Sequence, residues 1–265
     1  MPVYERLSMV VSLNLIGLAL YFIIDLPSQV YTFNLLNTTV SLTASQRLLM
    51  VILLGGLAFT GAGAVIRSHP EQRTRYTVPF WVNPMLLVIL ATFTLAQLGS
   101  PQRWAIGLAV TGVLLWFSIL AEYYIIEQNT TRLRVSQLWS QWISYALLLA
   151  YGALLYQARL SILANLLAIL VLTWLLARSI LKLYAPQNGN QGLFAFLIAF
   201  SVSQIAWVLQ YWQLQPADAS LLILLIFYGL TGIVISYFRD RLEGRVIMEY
   251  GLVVVLGGII ITQLI

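Results

Sequence analysis

Nine stretches of this chain, each close to the length of a bilayer-crossing helix and almost free of charge, constrain its fold more than any other feature. A helix rising 1.5 Å per residue needs about 20 apolar residues to cross roughly 30 Å of hydrocarbon. The runs occupy residues 7–26, 44–66, 78–98, 104–126, 135–156, 160–183, 192–214, 219–238 and 246–265. Local breakers separate them, as in Ser68, His69 and Pro70, or Gly99, Ser100 and Pro101. The expected fold is all-α: a polytopic transmembrane bundle of about nine helices, forming a single integral membrane domain over residues 1–265.

Composition agrees with the pattern. The chain is 60% hydrophobic and 9% charged, whereas soluble proteins carry about a quarter of their residues as Asp, Glu, Lys and Arg. The net charge of +5 comes from single basic residues between apolar runs, with no stripe or block of the kind that binds nucleic acid. That basicity is topogenic. With the N-terminus in the cytoplasm, eleven Lys and Arg residues fall on inside connections and only Arg47, Arg103 and Arg159 outside. Such a bias predicts an N-inside, C-outside chain in a cell membrane of the bacterial cytoplasmic kind. The first run follows Arg6 and lacks a small-x-small cleavage site before Asp25 and Pro27, so it reads as a retained helix. The connection from Pro27 to Thr43 alternates at Val30 to Leu35 as a strand or hairpin would.

Several chemistries are excluded by residue type. There is no cysteine, and His69 is the only histidine, which removes thiol nucleophiles, thiolate metal sites and multi-histidine centres within one chain. Lys182 is the only lysine and no phosphate-binding G-x-x-x-x-G-K-[ST] loop exists. Asp25, Asp218 and Asp240 are too dispersed to hold Mg²⁺ against a diphosphate. No cofactor is expected. His69 itself reads as a solvated loop residue, or in its functional version as a pH sensor.

Ionisable residues within or just inside apolar runs are costly in lipid and often functional. Glu122, Arg178, Arg245 and Glu249 form the candidate buried charge cluster, with Arg178 or Arg245 the expected partner of Glu122. The plain alternative has Arg178 extending to the headgroups and Glu249 pairing with Arg245 one turn earlier. Polar stripes supply a candidate lining. Gly107, Thr111, Ser118 and Glu122 share a face of the fourth helix; Gln137, Ser140, Gln141 and Ser144 share one on the fifth; Ser203, Gln204, Trp207, Gln210 and Tyr211 lie on the seventh. Ser118, Gln141, Ser144 and Gln204 would line a path, and equally would serve as hydrogen-bonding contacts between packed helices. Gly56, Thr60 and Ala64, and Gly232 with Ser236, are small-xxx-small faces suited to close helix approach.

The favoured functional class is a non-enzymatic binding, assembly or accessory membrane subunit whose partners are membrane lipids and other membrane proteins. The first alternative is a small-solute transporter with a polar cavity between helices four, five and seven and Glu122 as the proton or cation carrier. An intramembrane lipid-modifying enzyme is a third reading, with Glu122 or Glu249 as acid or base.

Overall fold

The computed structural model describes residues 3–23, 29–35, 38–44, 46–68, 78–127, 130–158, 161–184, 190–212 and 214–263. Among these the chain forms α1 (Val3–Ile23), β1 (Gln29–Leu35), β2 (Thr38–Ala44), α2 (Gln46–Arg67), α3 (Val82–Leu95), α4 (Pro101–Glu127), α5 (Thr130–Gln157), α6 (Ile162–Leu181), α7 (Gln191–Gln210), α8 (Pro216–Phe238) and α9 (Gly244–Gln263). The alternation at Val30 to Leu35 becomes an antiparallel pair, β1 with β2, with Gln29 opposite Ala44 and Leu35 opposite Thr38. His69 and its neighbours Arg73 and Arg75 lie outside the described residues.

Eight of the nine helices among the described residues are long and apolar enough to cross a membrane. The exception is α3. Residues 78–98 were expected to form one unbroken helix, but Val78–Phe80 is a 3-10 turn and the α-helix proper is the 14-residue segment Val82–Leu95. Proline explains the break: Pro79 and Pro84 lack the N–H groups a continuous α ladder would use, and Pro84 is tolerated only because it falls in the first turn. The 14 residues rise about 21 Å and the 3-10 turn adds about 6 Å, so the two pieces together approach the hydrocarbon thickness.

The chain divides into two compact units, residues 1–128 and 129–265. In the first, α1 packs on α2, α2 on α3, α3 on α4, and α4 back on α1. This is a closed ring of four helices in chain order. Its interior is filled by Leu7, Leu18, Leu54, Ala58, Ala62, Val65, Leu86, Val88, Leu115 and Ile119, all nearly inaccessible. The second unit repeats the scheme with α5, α6, α7 and α8, while α9 packs against the outside of α8. Short connections between successive helices account for the second ring, whereas in the first the connection from α1 to α2 carries β1 and β2.

Close approach in the second unit rests on small residues. Ala195, Ala199, Ser203 and Ala206 line the buried face of α7, which packs on α6 and α8. Gly152 of α5 lies against Ser220 of α8, where an added Cβ would come within 2.9 Å of the serine Cβ. Without a hydrophobic force between helices in lipid, such backbone proximity provides the dispersion contacts that hold a membrane bundle together. Outward-facing residues are large and apolar: Trp142 and Leu163 are each 70% exposed and Met248 is 76% exposed. A surface so continuous in apolar atoms requires lipid as solvent, and the chain is a multi-pass membrane protein.

One sequence expectation about helix approach is corrected. Gly56, Thr60 and Ala64 are all exposed on α2, and nothing lies near a Cβ built on Gly56. The neighbouring face, with Gly55, Ala58 and Ala62, is the one that packs. Both faces satisfy the small-xxx-small spacing, and the large residues of α3 and α1 decide between them: Ile89 meets Gly55 and Val10 meets Gly61.

Candidate functional site

In the first unit the stripe on α4 turns inward as its composition demands. Thr111, Ser118 and Glu122 are buried, and Glu122 is completely inaccessible. The Asn83 amide donates to Glu122 Oε1 at 3.3 Å, tying the first turn of α3 to α4. Asn83 is itself fully buried, so the pair is enclosed by protein. Beside it, Trp81 ends the 3-10 turn with its ring under the Arg67 guanidinium at 4.7 Å. The proline break in the third run thus delivers an amide to the carboxyl of the fourth.

The remaining members of the predicted charge cluster belong to the second unit. Arg178 stacks over Trp174 at 5.6 Å on the same helix. Arg245 Nε and Glu249 Oε1 form an ion pair at 3.1 Å along α9, with both side chains mostly exposed. The plain alternative therefore describes Glu249, and the i, i+4 spacing is its cause.

The polar stripes are sorted by the ring. Ser140 and Ser144 of α5 are buried, and the Ser144 hydroxyl donates to the Ser140 carbonyl at 2.9 Å. Gln141 is half-buried and bonded on both sides. Gln204 is exposed, which corrects the expectation that it faces protein and bonds across to another helix. Its neighbours Val202 and Ser203 take the buried positions, and the helix turn of about 100° per residue carries Gln204 on to the outer face. The small face of α7 wins because alanines and a serine permit closer packing than an amide would. Across the ring, the Tyr156 hydroxyl donates to the Ala206 carbonyl at 2.9 Å, which fills the space between α5 and α7 at that end. The lining expected from Gln141, Ser144 and Gln204 is thus not assembled within this unit. Gln204→Leu is expected to change stability by less than about 0.5 kcal/mol, as for other substitutions on an exposed face; chemical denaturation of the variant in detergent measures it.

A second cluster, not anticipated as a site, forms where α5, α8, α9 and the end of α6 meet. The Tyr184 hydroxyl donates to Gln141 Oε1 at 2.5 Å, and Gln141 Nε2 donates to the Tyr145 hydroxyl at 3.1 Å. Tyr145 in turn lies 3.4 Å from Thr231 Oγ1, with either oxygen able to donate. Arg239 places its guanidinium 4.6 Å from the centre of the Tyr184 ring. Burial pushes the Tyr184 hydroxyl above its ordinary value while the Arg239 charge draws it partly back, so Tyr184 remains a protonated donor at neutral pH. Tyr228 packs edge-on to both Tyr145 and Tyr250, with ring centres 5.8 Å apart in each pair.

Two local features shape the open side of this cluster. Helix α8 ends in a Schellman arrangement: Asp240 adopts φ 52°, the Arg241 N–H bonds the Ser236 carbonyl, and the Asp240 N–H bonds the Tyr237 carbonyl. The turn sets Arg239 and Arg241 on either side of Asp240. Gly232 supplies the other feature, since a Cβ there would collide with the Tyr250 ring, which lies directly on the α8 backbone. The result is a cavity of about 430 Å³ lined by Tyr228, Ser236, Arg239, Arg241, Val246, Glu249, Tyr250 and Val253. It offers guanidinium and hydroxyl donors, aromatic faces and one carboxylate already matched by Arg245.

Residues 26–264 match the model of a family described as "Protein of unknown function (DUF5656)". The chain belongs to that family. The match runs from just before β1 to the end of α9 and therefore includes both the Asn83–Glu122 pair and the α8–α9 cavity. No curated protein and no solved structure matches the chain. Membership in DUF5656 brings no activity with it, and the chemistry of the two clusters is the ground for a functional reading.

The sequence signals for these clusters were present but weak. Asn83 is an amide within an apolar run next to prolines, the mark of a polar group that must find a partner in protein. Tyr184 and the tyrosines of α8 and α9 resemble ordinary interface aromatics by position. Only their convergence distinguishes them.

Proposed function

We propose that the chain is a non-enzymatic binding or accessory subunit of a cell membrane, with the α8–α9 cavity as its binding site. The observation that carries this reading is the lining itself: arginine and hydroxyl donors around aromatic rings, a composition suited to recognition. Its volume falls within the range of about 300 to 1,000 Å³ usual for small-molecule sites. The chain sits N-inside and C-outside, supported by the eleven-to-three distribution of basic residues, which counts α3 with its 3-10 turn as a crossing. The α8–α9 turn then faces the cytoplasm.

Two measurements test the reading. Reporter fusions after Arg134, Lys182 and Arg241 should report the cytoplasm, and fusions near Gly99 and at the C-terminus the outside; a cytoplasmic C-terminus would overturn the orientation. Native mass spectrometry of the gently purified protein should find a bound small molecule or partner. A bare chain, indifferent to added membrane extract, would remove the binding reading.

The transporter reading is kept as a second one because of the enclosed Glu122 and its Asn83 partner. A carboxyl held away from water beside an interrupted helix is a group that proton-coupled carriers use. Proton flux in liposomes tests it, as argued below.

A further inference from the structure

We infer that the α8–α9 cavity takes the phosphate ester of an anionic lipid, held by Arg239 and Arg241 at its mouth. The inference rests on the binding reading above and names its ligand. Three features of the lining lead to it. Neither Arg239 nor Arg241 joins an ion pair among the described residues, whereas Glu249, the one acidic group in the lining, is matched by Arg245 at 3.1 Å. Two guanidinium groups of the lining therefore stand outside any ion pair among the described residues. Planar guanidinium groups bind phosphate oxygens through paired N–H donors, and they lose less on leaving water than an ammonium does.

Arg239 is also held in place. The Schellman turn with Asp240 in the left-handed region sets the backbone of both, and the Tyr184 ring supports the Arg239 guanidinium from one side. Tyr184 is itself fixed by its bond to Gln141, so the network through Tyr145 and Thr231 stands behind the cation. A preorganised guanidinium spends less on ordering when an anion arrives.

The gradient of the lining selects a lipid over a free anion. From the arginines at the turn and Val246 in the first turn of α9, the wall passes Ser236 and Tyr250, both hydrogen-bonding groups, to Val253. Val253 lies two turns beyond Val246, a rise of about 10 Å, so the apolar end at Val253 reaches away from the charged mouth along a helix that crosses the membrane. Polar head and apolar stem are matched in one cavity. Unlike the other spans, α9 buries nothing of its apolar window within the protein, which leaves the cavity accessible from the surrounding lipid.

The test uses the full chain in nanodiscs of phosphatidylcholine into which phosphatidylglycerol or phosphatidylethanolamine is titrated, with bound lipid counted by native mass spectrometry. Phosphatidylglycerol should be retained in preference to both others, and the Arg239→Gln, Arg241→Gln double variant should lose roughly tenfold or more of that preference. Arg134→Gln, a basic residue of α5, should retain it. Equal retention of all three lipids, preference for phosphatidylethanolamine, or an unchanged double variant would overturn the inference. Should the double variant fail to fold, photoreactive phosphatidylglycerol on the wild-type chain decides the question: labelled peptides within residues 236–253 support the site, and labelling confined to other segments overturns it. Glycerol phosphate added from solution forms the separate arm. Displacement of the lipid by it at comparable affinity would assign the arginines to a free phosphate ester and overturn the lipid source. A co-purified amphiphile without phosphate, released by the double variant, would overturn the phosphate inference while leaving the binding reading intact; no ligand under any condition would end both.

Discussion

Glu122→Ala is expected to destabilise the protein by about 3 kcal/mol, through loss of a buried polar partner and the cavity it leaves. The residue is completely inaccessible and accepts the Asn83 amide at 3.3 Å, so truncation removes this partner from a fully buried amide and takes away a side chain that the four-helix ring has packed around. Glu122→Gln should behave differently. Its amide oxygen can still accept from Asn83, and most of the stability should remain. The two substitutions therefore separate structure from transport. Under the accessory reading both variants differ from wild type only in unfolding midpoint, measured in detergent. Under the transporter reading Glu122→Gln folds normally and abolishes proton-coupled flux in liposomes, because a glutamine cannot release a proton. An alanine variant as stable as wild type would mean that the Asn83 contact contributes nothing.

Gly232→Leu should separate α9 from α8 along the lower half of their contact. Even a single methyl at Gly232 would overlap the Tyr250 ring, and a leucine places four carbons where that ring lies. Overpacking of this kind costs about 1–3 kcal/mol in a well-packed core. Here the strain has an outlet, since α9 packs on α8 and buries none of its apolar window in the protein. The expected result is displacement of α9 more than global unfolding. Cysteines placed at Gly229 and Val254, which touch across the same interface, should crosslink in the parent and fail to do so in the Gly232→Leu background. Bound lipid should fall in parallel, because Tyr250 forms one wall of the cavity. Efficient crosslinking in that background would show that the ring can rotate away, and that Gly232 is not needed for the approach.

Hydrophobic run length alone determined the class of fold, because a span needs a fixed number of apolar residues and every backbone group in lipid must be satisfied within a helix. The inward stripe through Thr111, Ser118 and Glu122 was equally legible, since its polar groups repeat at helical spacing and lipid cannot bond them. Sequence could not choose between faces that meet the same rule. Gly55 and Gly56 are adjacent, and the packing of Ile89 selects the first; Ser203 and Gln204 are adjacent, and close packing of α7 selects the serine. Nor could spacing place Asn83 beside Glu122, 39 residues away, set Arg239 over the Tyr184 ring, or bring Arg239 and Tyr250 to one cavity. Those meetings depend on which helix neighbours which in each ring. That choice is made by the summed fit of small and large side chains between helices, a property of pairs of surfaces that no single run of residues contains.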